Sequence, residues 1–139
     1  MRIGRPHLVA ILAAALACLA GPIAAQAGKT EKVKTKVAVD SVTGDADVLY
    51  TYGKVSAPDD RCLDNRRVQV YFAGNGNNLK FDIARTGRNG GWTAVHDINK
   101  VIEAGPFNTI LVKVDERRIK AGGKTILCKP ASTDYPLTD

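Results

Sequence analysis

Helical periodicity is nearly absent from this chain. No segment keeps an apolar repeat of 3.6 residues for long, which points away from a helical fold. Histidine is scarce as well. His7 and His96 are the only two, and only His96 lies beyond the first 27 residues. A lone histidine supplies one ligand where a zinc centre takes three or four, so a histidine-built metal site is excluded. No internal repeat and no low-complexity run is present. The basic residues are strung along the sequence and interleaved with acids, without the clustered run that marks a nucleic-acid binder.

What is there begins with MRIGRPHLVAILAAALACLAGPIAAQAGKTEK. Arg2 and Arg5 make a positive start, Leu8 to Ala20 is apolar and uncharged, and Ala25-Gln26-Ala27 places small residues where a signal peptidase reads. This three-part pattern predicts a secretory signal over residues 1–27. The apolar run is shorter than the roughly 20 residues a membrane span needs. Ala15-Leu16-Ala17-Cys18 partly matches a bacterial lipoprotein box, although Ala15 stands where a large aliphatic residue is usual. Lipid attachment at Cys18 is therefore the alternative to cleavage after Ala27. The remaining 112 residues suffice for one domain with its own core. Without Arg2 and Arg5 the balance is 18 basic to 14 acidic residues, or +4, which fits plain solubility or a weak preference for anionic polymers. Of three cysteines, Cys18 goes with the signal. Cys62 and Cys128 are left as an even pair in an exported chain, and a disulfide is expected between them.

Beyond the signal the chain alternates with period two. EKVKTKVAVD spaces Val33, Val37 and Val39 with lysines and small residues. ADVLYTYGKVS puts Leu49, Thr51, Gly53 and Val55 on one face and Tyr50, Tyr52 and Lys54 on the other. RRVQVYFA separates Val68, Val70 and Phe72 from Arg67, Gln69 and Tyr71. LKFDIART, WTAVHDI, TILVKVDE and KTILCKP continue the pattern. SAPDD, AGNGNN, TGRNGG, EAGPFN and KAGGK punctuate it as turns. Short strands with turn signals about every ten residues predict an all-β fold, a single antiparallel sandwich of about seven strands. HDINKVIEAG is the one helix candidate, a short turn of helix or a loop stopped by Gly105-Pro106. Residues 28–32 and the tail STDYPLTD are expected to be ragged ends.

The glycine-rich stretch RTGRNGGW is open to two readings. A phosphate loop needs a helix immediately after it, so that amide dipoles face the anion. WTAVHDI alternates like a strand instead, and Asn89-Gly90 is a strong type I′ hairpin signal, so a hairpin is expected there. Arg85 and Arg88 then become solvated edge charges.

Candidate chemistry is thin. His96 is the only residue around which a small hydrolase could be built, with Asp97 or a tyrosine as its partner. Asp59, Asp60 and Asp64 flank Cys62 but lack calcium-loop spacing, and Arg61, Arg66 and Arg67 are near enough to pair with them. Tyr50, Tyr52 and Tyr71 point away from the core faces of their strands. They form the candidate ligand face, with cross-strand pairing as the plainer role. Trp92 is expected to plug the core.

YGKVSAPDDRCLDNRRVQVYF, RTGRNGGWTA and ILVKVDE…TILCKPASTD resemble the opening, hairpin and closing segments of secreted bacterial carboxypeptidase regulatory-like and transthyretin-like modules. The resemblance runs from Leu49 to Thr133. It rests on Gly53, Val55, Cys62, Arg67, Val68, Val70, Thr86, Gly90, Trp92 and Cys128 as turn, core and disulfide positions. Gly87 departs from the pattern, which has aspartate after the threonine. The resemblance implies an immunoglobulin-like sandwich and transfers no catalytic residue.

The expected organisation is a signal peptide over 1–27, an N-terminal extension or extra edge strand over 28–45, the sandwich over 46–134 and a tail over 135–139. The expected function is a secreted, non-enzymatic module, structural or binding, at or outside the cell envelope. Binding of carbohydrate or an anionic cell-surface polymer is the alternative, and a hydrolase using His96 the more distant rival. No metal, cofactor or nucleic acid is expected. Membrane contact is expected only through the signal or a lipid at Cys18.

Overall fold

The computed structural model describes residues 28–137; the signal segment, Cys18 and the last two residues lie outside the described residues. The alternating runs form ten strands: β1 (Thr30–Val33), β2 (Lys36–Asp45), β3 (Val48–Ser56), β4 (Arg67–Gly74), β5 (Asn77–Arg85), β6 (Gly91–Asp97), β7 (Thr109–Val114), β8 (Arg117–Ala121), β9 (Lys124–Cys128) and β10 (Ala131–Pro136). One sheet has the order β2-β3-β6, and the sheet facing it has the order β10-β7-β4-β5. Val37, Val55, Trp92 and Ala94 of the first pack against Val68, Val70, Phe72, Ala84, Ile110, Val112 and Val114 of the second. Each such aliphatic side chain contributes roughly 1.5–3 kcal/mol on burial, so this seam is the main source of stability. The fold is an all-β sandwich.

Three features enlarge the expected plan. The strands number ten in three sheets, because β1, β9 and β8 form a small sheet of their own in the order β1-β9-β8. β1 runs parallel to β9, from Thr30 opposite Thr125 to Val33 opposite Cys128, so the pairing is not wholly antiparallel. The segments expected to be ragged ends are ordered into strands. Thr30–Val33 is held by β9, and Tyr135 and Pro136 pair with Ile110 and Thr109 of β7. β2 is an edge strand that pairs along β3 and buries Val37 in the common core.

Turn chemistry explains two hairpins and corrects a third. Asn75 and Gly76 both have positive φ (51° and 80°), as do Gly122 and Gly123 (57° and 78°), and each pair closes a two-residue hairpin. Asn89-Gly90 does not. Only Gly90 has positive φ (83°), and the turn is closed by Gly90 N–H donating to the Gly87 carbonyl at 2.9 Å. β5 pairs with β4, while β6 pairs with β3, so this stretch carries the chain from one sheet to the other. An Asn-Gly pair sets local dihedrals; it does not choose which strand edges meet. Gly90 is still required, since a Cβ there would lie 2.1 Å from the Val55 carbonyl oxygen. Gly53 is required for a different reason. Trp92 lies across it, and a Cβ would sit 2.2 Å from the indole ring.

HDINKVIEAG does contain a short helix, α1 (Ile98–Ala104), capped by the Asp97 carboxylate accepting from the Asn99 and Lys100 amides. A bulge in β5 lets Phe81 turn inward while Leu79 and Ile83 stay exposed. Of Leu79, Phe81 and Ile83 in LKFDIART, only Phe81 therefore turns toward the interior, where Ala84 is also buried.

Candidate functional site

The three tyrosines do not share a face. Tyr50 and Tyr52 lie on the outer side of β3, with ring centroids 6.1 Å apart and planes within 17°. Tyr71 lies on the outer side of β4, across the sandwich from them. Its hydroxyl donates to Gln69 Oε1 (2.9 Å) and its ring lies 5.2 Å from Lys113 Nζ. The candidate ligand face of Tyr50, Tyr52 and Tyr71 is therefore reduced to the first two. Trp92, Val55, Val68 and Val70 are buried, as expected of core positions.

His96 is sealed into the end of the sandwich that carries α1. It packs edge-on against Phe72 (5.0 Å) and Phe81 (6.4 Å), and Nε2 lies 3.2 Å from Thr51 Oγ1. Burial pushes its pKa below the ordinary value, and the charge of Asp82 offsets only part of this. Asp97 follows it on a pleated strand, points to the opposite face and caps α1. The two do not form an acid–base pair.

The other end of the molecule is built differently. Cys62 and Cys128 are bonded, with Cα atoms 5.5 Å apart, inside a small apolar cluster with Val33 and Ile126. Beside them Arg66 is almost fully buried. Its guanidinium donates to the carbonyls of Cys62 (2.9 Å), Asp115 (2.8 Å) and Lys129 (3.0 Å) and to Thr35 Oγ1 (3.2 Å). It thereby ties the disulfide loop to the β1–β2, β7–β8 and β9–β10 connections. All of these acceptors are neutral, so the charge is oriented but not cancelled. Burial and the neighbouring charge of Arg117 both hold its pKa below the usual guanidinium value, against the opposing pull of Asp115. The expected pairing of the Cys62 loop is met only by Asp59 and Arg61 (2.7 Å). Arg67 pairs instead with Asp115 (3.3 Å).

Strand topology also gathers charge that the sequence disperses. The disulfide end comprises residues 28–36, 54–67, 85–91 and 113–131, together with the small sheet. These segments carry 16 basic and 6 acidic residues, a formal +10. The rest of the described chain carries 2 basic and 7 acidic residues, a formal −5. A cleft of about 270 Å³ opens at the positive end, lined by Arg66, Arg67, Arg85 and Arg117 with Asp115 and Glu116. Sequence reasoning missed this site because its residues come from three separate segments of the chain. Among the described residues, no group of three or more metal-ligating side chains converges, and no helix is long and apolar enough to cross a membrane. No family model, curated protein or solved structure matches this chain.

Proposed function

We propose that this chain is an exported, non-enzymatic β-sandwich module that binds an anionic polymer of the cell envelope through its disulfide end. The charge segregation carries this reading: the disulfide-end segments total a formal +10 while the rest of the described chain totals −5, which draws a polyanion toward that end. Export is supported by the signal-like pattern over residues 1–27 and by the Cys62–Cys128 bond, which suits an oxidising compartment. A non-enzymatic role is supported by the enclosure of His96 and by the resemblance to carboxypeptidase regulatory-like modules. That resemblance also favours a structural or binding role.

Binding of the exported protein to heparin or wall teichoic acid at two salt concentrations tests the reading. The expected result is saturable binding that weakens steeply with salt, as counterion release requires. Absent or salt-insensitive binding overturns it. Tighter binding to a nucleic acid than to either polymer would move the partner class. Tyr50 and Tyr52 support a second reading, in which a neutral sugar stacks on the paired rings. Salt-insensitive binding of a neutral oligosaccharide would favour that one.

A further inference from the structure

Resting on the polyanion reading, we infer that the arginine cleft between the start of β4, the end of β5 and the β7–β8 connection is an oxyanion subsite, taking a phosphate or sulfate group.

The argument starts from which charges are already answered. Asp115 Oδ2 accepts from Arg67 (3.3 Å), and its other oxygen accepts from Gln69 (2.7 Å). Glu116 pairs with Arg118, which is not part of the cleft lining (3.5 Å). Both lining carboxylates are therefore engaged. Three of the four lining arginines have no carboxylate partner. Arg66 is bound to carbonyls and a hydroxyl, and Arg117 Nη1 donates to the Asp64 carbonyl. Arg85 reaches only Asn65, at 3.4 and 3.5 Å, longer than an ordinary N–H···O bond.

Like charges crowd here at a cost. Arg117 lies close enough to Arg66 to disfavour its charged form, and Asp115, already engaged by Arg67 and Gln69, offsets only part of this. Arg66 cannot move to relieve this, because four hydrogen bonds fix it. Its charge stands behind the cleft in a poorly hydrated setting, where it acts more strongly than at a surface. Arg85 and Arg117 stand in front, from two different elements, with N–H groups to offer. A tetrahedral oxyanion presents several acceptor oxygens in different directions, and so can be met from both elements at once. The same chemistry is presented by a free ion and by a group on a polymer.

The test uses the exported protein with inorganic phosphate and inorganic sulfate at constant ionic strength, and with heparin across a salt series. The subsite predicts that both small ions raise the melting temperature saturably, whereas chloride at equal ionic strength does not. It predicts that Arg85→Gln with Arg117→Gln abolishes that rise, weakens heparin binding about tenfold and lowers the salt slope by about one for each charge removed. Arg85→Gln alone touches the weakest internal contacts and keeps the test valid if the double variant folds poorly; it should lose part of the rise. Lys32→Ala with Lys120→Ala removes exposed charge outside the cleft. This control should weaken heparin binding while leaving the small-ion effect intact.

If the small ions do nothing and the arginine variants bind heparin with the native slope while the lysine variant is weakened, the subsite is wrong and a diffuse basic pole remains. A small-ion rise that survives in the double variant places the ion elsewhere and also overturns the subsite. If no polyanion binds at all, the functional reading fails with it.

Discussion

The two ends of this sandwich hold themselves together by opposite means. At the α1 end Phe72, Phe81, Phe107 and His96 pack edge to face with centroids 5.0–6.4 Å apart, and one short helix closes the chain over them. At the disulfide end the apolar cluster is small. A covalent bond and a buried arginine bound to three carbonyls do the joining. The first end encloses its one histidine among aromatic rings. The second gathers cations that repel one another, and needs stronger ties to keep them in place. That uncompensated repulsion is the feature on which the proposed binding role rests.

The comparison is broken most severely by removing the covalent tie. Cys62→Ser with Cys128→Ser opens a loop spanning 66 positions and should cost about 4 kcal/mol, read from denaturant midpoints. A loss under about 1 kcal/mol would mean that the disulfide end is held by packing like its opposite. Arg66→Met comes next. It strands three buried carbonyls, and the expected loss is about 3 kcal/mol, with Arg66→Lys recovering part of it. Unchanged stability in Arg66→Met would show that the guanidinium is not a tie.

The smallest effect lies at the aromatic end and is sharpened by pH. The folded state holds His96 below its ordinary pKa of 6.5, so below that pH the unfolded chain takes up a proton that the folded chain refuses. Stability should therefore fall as pH drops below 6.5, by at most about 1.4 kcal/mol per pH unit from this group. His96→Gln should lack that component. Parallel pH profiles for the two proteins, measured by urea denaturation from pH 7.5 to 5, would show that His96 contributes none of the acid sensitivity.

Local pattern makes most of the sandwich legible in the sequence alone. Val68, Val70 and Phe72 alternate with Arg67, Gln69 and Tyr71, and the two sets do face core and solvent. Cys62 and Cys128 could be paired by count. What the pattern could not reveal was which strands meet. Asn89-Gly90 looks like a hairpin because dihedral preference is local, yet the neighbouring strands belong to different sheets. The β5 bulge was likewise invisible, since it depends on the register against β4. The tyrosine face failed for a related reason. Pleating shows that each ring points outward, but not that β3 and β4 lie in opposing layers. The arginine cleft was the least legible feature, because Arg67, Arg85 and Arg117 adjoin only once three strand ends converge. Arg66 stands next to Arg67 in sequence, and nothing local tells the buried one from the exposed one.

The concentration of +10 at the disulfide end, against −5 over the rest of the described chain, leaves the molecule unevenly charged. Near an anionic surface such a body feels a torque as well as a pull. On the binding role proposed above, the disulfide end would face the partner and α1 would face away from it.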